Sequence, residues 1–255
     1  MTFRRLFARD RLLGTLVILV AGAICVRLGV WQLDRLAQRR DFNHHVLAAQ
    51  EMAPLGLPSS EDLSMQEYRT VRAEGTYDFE HQFAIRNQFY NGENGFDLIT
   101  PLLFGTQASD GQAGAEAVLV DRGWIPAATN GSASDWRKYD EPSRAGVAGL
   151  LRLAVAAPSL AGLAEPTPVA RNGRIDFWIF MDIDGIQKQL PYSLMAVYIQ
   201  KSPEPDSVSP PIAVTPTLDL SEGPHLGYAM QWFGFAALFV VGYPLYLRKQ
   251  EGRST

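Results

Sequence analysis

LGYAMQWFGFAALFVVGYPLYL, residues 226–247, carries no formal charge, and Arg248-Lys249 follows at once. At about 1.5 Å per residue the stretch makes a helix of about 33 Å, enough to cross a hydrocarbon core of about 30 Å. A second apolar stretch opens at Leu12 and runs to Leu33, interrupted only by Arg27, which lies close enough to the end to snorkel. The layout predicts two transmembrane helices, 12–33 and 226–247, around a polar segment of residues 34–225, with tails of residues 1–11 and 248–255. Ala21-Gly22-Ala23 would also suit a cleavable signal peptide. Apolarity resumes after Arg27, however, and Trp31 falls at the depth of an interfacial aromatic, which favours an uncleaved span.

Charge is divided along the same lines. Residues 1–33 and 226–255 hold eight Arg/Lys and two acids, whereas residues 34–225 hold fifteen Arg/Lys and 25 acids. An acidic middle without a basic face argues against nucleic-acid binding. No Lys or Arg lies between Lys201 and the second span, while Arg248, Lys249 and Arg253 follow it. Arg35, Arg39 and Arg40 weaken the vote of the first span, so the second decides. Both termini are expected on the cytoplasmic side of a bacterial inner membrane, with the acidic domain periplasmic. The single cysteine, Cys25, lies within the first apolar stretch, so the outer domain has no disulfide or thiol chemistry.

Residues 32–47 have helical spacing and are expected to continue the first span into water. Residues 53–64 read as a Pro/Gly/Ser loop, after which the texture turns to strands. Strands are predicted over 69–77, 82–87, 96–103, 117–120, 146–155 and 194–201, with a turn at Asn91-Gly92-Glu93-Asn94-Gly95. Residues 184–190 suit a short helix capped by Asp182 or Asp184 and stopped by Pro191. Residues 105–115 and 127–145 read as polar loops, 154–164 is Ala-rich, and 203–224 is a Pro-rich linker. The expected architecture is a β-rich α+β domain, mainly antiparallel, flanked by two transmembrane α-helices.

Hydrolase chemistry finds no support: G-x-S-x-G, H-E-x-x-H and a Walker loop are all absent. Of the four histidines, His44 and His45 point to different sides of a helix, and His81 falls in a tight turn. His225 differs through its neighbours, because Tyr228, Trp232, Phe235, Phe239 and Tyr243 share one broad helical stripe with it. An imidazole beside an aromatic wall suits an axial haem ligand, although aromatics line lipid and helix interfaces as well. Gln231 is a polar residue within the span, where protein or cofactor is a better neighbour than lipid. Gly22, Cys25, Gly29 and Gln32 form a seam of mostly small residues suited to close helix packing.

Four stretches together resemble the Surfeit locus protein 1 family, the assembly factors of haem–copper cytochrome oxidase. Gly29-Val30-Trp31-Gln32 with Arg35 and Arg39 is similar to that family's G-x-W-Q-x-x-R-x-x-x-[KR] signal. VRAEGTYDFEHQFAIRN with GFDLITPLLF looks like its V-x-x-x-G-x-[YF] and G-[YF]-x-x-x-[TS]-P signals. VLVDRGWIP (118–126) resembles V-L-V-[ND]-R-G-W-[VI]-P, and HLGYAMQWF from His225 resembles H-L-x-Y-A-x-Q-W-F. The resemblance implies an assembly role without catalysis, with haem a as cofactor. It implies as partners the catalytic subunit of cytochrome c oxidase and haem a synthase, with lipid around the spans. Carried over residue by residue, it implies His225 as the iron ligand and Trp31, Gln32, Tyr228, Gln231 and Trp232 as pocket or span contacts. For Arg122 it implies a contact with a haem propionate or the oxidase, against the plainer reading of a buried pair with a carboxylate such as Asp121.

A cofactor-free scaffold that holds an oxidase subunit during assembly is the alternative, and the sequence does not separate the two. A sensor has too little chain after Arg248 to signal with, and a tethered hydrolase lacks a nucleophile-and-base constellation.

Overall fold

The first apolar stretch folds as α1 (Leu12–Glu51), and the helix does not stop at Leu33. No proline interrupts its 40 residues, about 60 Å of helix, until Pro54 forbids continuation beyond Met52-Ala53. The computed structural model describes residues 11–105, 116–129, 131–154, 170–171, 174–204, 209–214 and 218–251. The chain divides into two compact units, Met1–His45 with Leu218–Thr255, and Val46–Thr217.

In the helical unit, α1 packs on a continuous helical run. This run is α3 (His225–Ala237), one π-helical turn (Leu238–Gly242) and α4 (Tyr243–Glu251); the label α2 belongs to Ile183–Gln187 of the other unit. The π turn lies just before Pro244, which has no N–H for the regular ladder and whose ring would clash with the carbonyl four residues back. Buried positions on α1 recur at Thr15, Gly22, Cys25, Gly29, Leu36 and Asn43, the 3–4 spacing of a helix–helix seam. The small-residue seam read from the sequence is therefore part of a longer stripe. Gly29 shows why it must be small: a Cβ there would stand 2.7 Å from the Phe233 ring. Nearer the start of α1, Thr15 Oγ1 and the Tyr243 hydroxyl lie 3.2 Å apart.

The outer faces are apolar. Leu13, Leu16, Val17, Leu238, Val240 and Val241 are all more than half exposed. Only 22% and 11% of the most apolar windows of the two helices are buried, far less than in a core helix of a soluble protein. The chain is a membrane protein with two transmembrane helices around a strand-rich domain.

That domain is built from β1 (Leu55–Leu57), β2 (Thr70–Tyr77), β3 (Phe83–Tyr90), β4 (Glu93–Leu103), β5 (Glu116–Pro126) and β6 (Arg144–Leu153). The short β7 (Ala170–Arg171), β8 (Arg174–Ile175) and β9 (Phe177–Trp178) follow, then α2 and β10 (Ser193–Lys201). The sheet runs β1-β2-β6-β10-β5-β4-β3-β9, and β2 also pairs with β4 through Thr76↔Leu103 and Tyr77↔Leu102. That last pairing closes β2, β6, β10, β5 and β4 into a five-stranded barrel. Pairing is mainly antiparallel, with β10 parallel to β5, β1 to β2 and β9 to β3.

Alternate residues fill the barrel: Val71 and Ala73, Val118 and Val120, Val147 and Leu151, Val197 and Ile199. Leu119 points the other way, into a second cluster with Phe83, Ile99, Trp178 and Ile186. Strand β5 is thus buried on both faces, which explains the unbroken apolar run Ala117–Val120.

The structure corrects several sequence expectations. Strand β1 lies inside the stretch read as a loop, because Leu55 and Leu57 bury against β2. The β3–β4 turn is only Asn91-Gly92, with φ of +49° and +82°, the left-handed pair that a two-residue hairpin demands. Strand β5 continues past Val120 to Pro126, since Asp121 and Arg122 are buried although charged. Asp182 caps α2, its Oδ1 accepting the Gly185 N–H at 3.0 Å. Most of the 105–115 loop, Val155 and most of the Ala-rich segment fall outside the described residues.

Candidate functional site

His225 opens α3 directly after Gly223-Pro224, and its ring meets Gln32 of α1: His225 Nδ1 lies 2.8 Å from Gln32 Oε1. An amide oxygen only accepts, so Nδ1 carries the proton and donates it to Gln32. The proton of a neutral imidazole is then fixed on one nitrogen, and Nε2 keeps its lone pair, the state a metal ligand needs. Two residues ahead of His225, Gly223 takes the left-handed region at φ +68°, a conformation that suits glycine and turns the chain into α3.

The segment leading to His225 is clasped by three α1 residues, Arg39, Arg40 and Asn43, of which the sequence had marked only the two arginines. Arg39 donates through Nε to the Ser221 carbonyl (3.1 Å) and pairs with Asp219 (3.1 Å). Arg40 forms a two-pronged pair with Glu222, at 2.8 Å on each prong. Asn43 Nδ2 donates to the Leu220 carbonyl at 2.5 Å. The hydrogen bond from Arg40, with its charge, holds Glu222 below the usual carboxylate range; Asp219 is held low first by Ser221 and then by Arg39. The acids at 219 and 222, just ahead of the span, were the available sequence signal for these partners.

The remaining predicted residues divide. Trp232 is half-buried in the helix seam and meets Phe235 edge to face at 6.0 Å. Tyr228 (48% exposed), Phe235 (49%) and Gln231 lie on the open flank of α3, so the aromatic stripe faces partly into the seam and partly outward. Trp31 is exposed beside Gln32, with the Arg35 guanidinium 5.7 Å from its ring.

Arg122 belongs to the barrel unit. Its Nη2 donates to the Tyr139 carbonyl and to Glu141 Oε1, the latter at 3.0 Å, and its guanidinium lies 5.5 and 5.2 Å from the Tyr77 and Phe79 ring centres. Its carboxylate partner is therefore Glu141, not Asp121, whose Oδ1 instead accepts the Gly123 N–H at 3.0 Å. Nε and Nη1, buried and without hydrogen-bond acceptors among the described residues, are left to the two ring faces. Burial pushes Glu141 up, but Arg122 and Lys201 outweigh it and hold the carboxyl low.

The donor set limits the chemistry. Among the described residues no group of three or more His, Cys, Asp or Glu side chains could hold a metal ion. A lone imidazole nitrogen is a poor site for a bare ion, but it suits an iron whose other ligands come from a porphyrin. The Nε2 lone pair, with Tyr228 and Phe235 exposed on the same helix, names the groups that could hold a haem.

The model of the SURF1 family matches residues 19–237 of the chain. A SURF1-like protein of Rickettsia bellii (strain RML369-C) is 25% identical over 252 residues, covering 93% of this chain and 92% of its own. A SURF1-like protein of Rickettsia felis (strain ATCC VR-1525 / URRWXCal2) is 24% identical, covering 91% and 96%.

Proposed function

The chain belongs to the SURF1 family, a family of assembly factors linked to cytochrome oxidase, and from that premise we propose that it handles haem a for the oxidase through His225. The observation that carries this reading is the His225 Nδ1–Gln32 hydrogen bond, which leaves Nε2 free as an iron ligand. Bound haem would supply the metal centre and the apolar ring; the chain supplies one imidazole in a fixed tautomer, with Trp232 and Tyr228 one to two turns along the same helix. Arg40, Arg39 and Asn43 keep the approach to α3 in place, so that His225 is presented from an ordered helix start. The partner in this reading is the catalytic subunit of cytochrome c oxidase, and haem a synthase is the source of the cofactor. Arg/Lys placement favours both termini inside, which in a bacterial inner membrane puts the barrel in the periplasm. Arg122 is assigned a structural role in the barrel, because its charge is already met by Glu141.

The test is the visible spectrum of the full chain, purified in detergent from cells making haem a, compared with His225→Ala. Wild type should carry haem a and the variant should lose most of it, while still inserting. Equal haem content and identical spectra would leave the cofactor-free scaffold.

A further inference from the structure

Two arginines at the exit of α1 are left over from the clasp around His225. Arg39 and Arg40 are matched by Asp219 and Glu222, whereas Arg27 and Arg35 make no ion pair among the described residues. Their depth follows from the helix pairing. The Gln32–His225 contact sets Gln32 level with the start of α3, where the uncharged stretch 226–247 begins. Arg27 lies five residues back along α1, about 7.5 Å inside that level. Leu12, at the other end of the apolar run, is 15 residues away, about 22 Å, so the nearer polar layer is the one at Trp31.

Arg27 faces outward. It is exposed, and exposed Val20 (51%), Ile24 (54%) and Val30 (42%) surround it on the same flank of the helix. A guanidinium does not shed its charge, so on a lipid-facing flank it has to reach an anion or water. Neither apolar stretch, 12–33 or 226–247, contains an acid. Asp34, the nearest acid on that flank, stands about 10 Å further along α1 and makes no pair with Arg27. Trp31 and Arg35 continue the flank in steps of four residues, about 6 Å each. Arg35 leans back over Trp31, its guanidinium 5.7 Å from the ring, and gives one N–H to the neutral Gln38 at 3.0 Å. Two unmatched guanidinium groups thus flank one interfacial indole, from its apolar side and from its water side. With Asp34 counted, the group keeps a net charge of about +1, which one phosphodiester cancels.

We propose that Arg27, Trp31 and Arg35 form a binding site for one anionic phospholipid, in the leaflet that α1 leaves at residue 33. The phosphate lies between the two guanidinium groups, which match phosphate oxygens with paired N–H donors. The acyl chains run along Val20, Ile24 and Val30, and the indole of Trp31 holds the level of the glycerol, where interfacial aromatics sit. A zwitterionic headgroup brings its own cation and leaves the net charge of the site uncancelled, so the balance selects a phosphatidylglycerol-type lipid over phosphatidylcholine. Of these residues only Trp31 was also expected near haem, and the test uses protein free of haem.

The full chain, produced without haem a and purified in detergent, is titrated with phosphatidylglycerol or phosphatidylcholine of identical acyl chains and weighed by native mass spectrometry. Wild type should retain one phosphatidylglycerol at least threefold more often than one phosphatidylcholine, and Arg27→Leu should bring the two to equal retention. Arg27→Leu makes the span more apolar, so a failure to insert does not confuse the result. Arg35→Gln should lower phosphatidylglycerol retention and leave phosphatidylcholine unchanged. Equal retention of the two lipids by wild type, a preference that survives Arg27→Leu, or a loss just as large in Lys249→Gln at the far end of the other span overturns the proposal.

Discussion

The barrel and the helical hairpin are held together by opposite means. In the barrel, large apolar side chains from five strands fill a closed interior, and Leu151, Ile199 and Val71 have no exposed surface. In the hairpin, close approach depends on what is missing: Gly29 gives its place to the Phe233 ring, and Ala229 and Ala236 occupy buried positions on α3. Water drives the first kind of packing, whereas lipid offers no hydrophobic gain to the second, which rests on contact and polar pairing. The two regions should respond to mutation with opposite size rules.

The largest effect is expected from Leu151→Ala, which empties a fully buried volume of the barrel and should destabilise it by about 2–5 kcal/mol. Tryptophan-fluorescence denaturation would measure it; a change below about 1 kcal/mol would mean that the barrel interior is loosely packed. Asp97→Asn tests the polar side of the same unit and should act in the other direction. Burial raises its carboxyl in the folded state, so the stability linked to it is present below about pH 4 and is lost as pH rises through about 6. Asp121, Arg152 and Tyr198 line one cleft with Asp97 and stay in place in the variant. The variant should therefore be more stable than wild type at pH 7, by on the order of 2 kcal/mol, with the difference vanishing near pH 4.

In the hairpin, Gly29→Val should cost about 1–3 kcal/mol by overpacking, where the same enlargement on an exposed barrel surface would cost little. Helix–helix cross-linking yield or thermal melting in detergent would show it. An unchanged melt would remove the close-packing argument. The smallest effect is reserved for Arg40→Gln, which breaks an exposed ion pair. Global melting should barely move, while amide exchange around residues 219–224 speeds up; unchanged exchange would show that the clasp does not order the approach to His225.

The hairpin was the more legible part. Its spans follow from uninterrupted apolarity and its seam from the 3–4 recurrence of Gly22, Cys25 and Gly29, both of which are local patterns. Strand positions in the barrel were also legible, through alternation around residues such as Val71 and Ala73. Ring closure was not, because the pairing of Thr76 with Leu103 and the parallel placement of β10 beside β5 are choices between distant partners that no local period records. For the site, residue spacing singled out His225 and Gln32 for separate reasons, the aromatic stripe and the small-residue seam, and only the family resemblance placed them together. Their contact spans 193 positions of sequence and emerges only when α1 and α3 pack. Arg122 had its partner misread for a related reason: the adjacent Asp121 turns away where the register of β4 and β5 slips, and Glu141 arrives from a loop.

The acceptor beneath the His225 ring is an amide. A carboxylate in that place would draw the Nδ1 proton toward itself and make the ring more imidazolate-like, a stronger electron donor that grips a metal harder. Gln32 sets the orientation of the ring without that push. For a protein whose proposed task ends with surrendering its cargo, weak electron donation is an advantage: the ring is aimed firmly and binds lightly, and Gln32→Glu would trade release for retention.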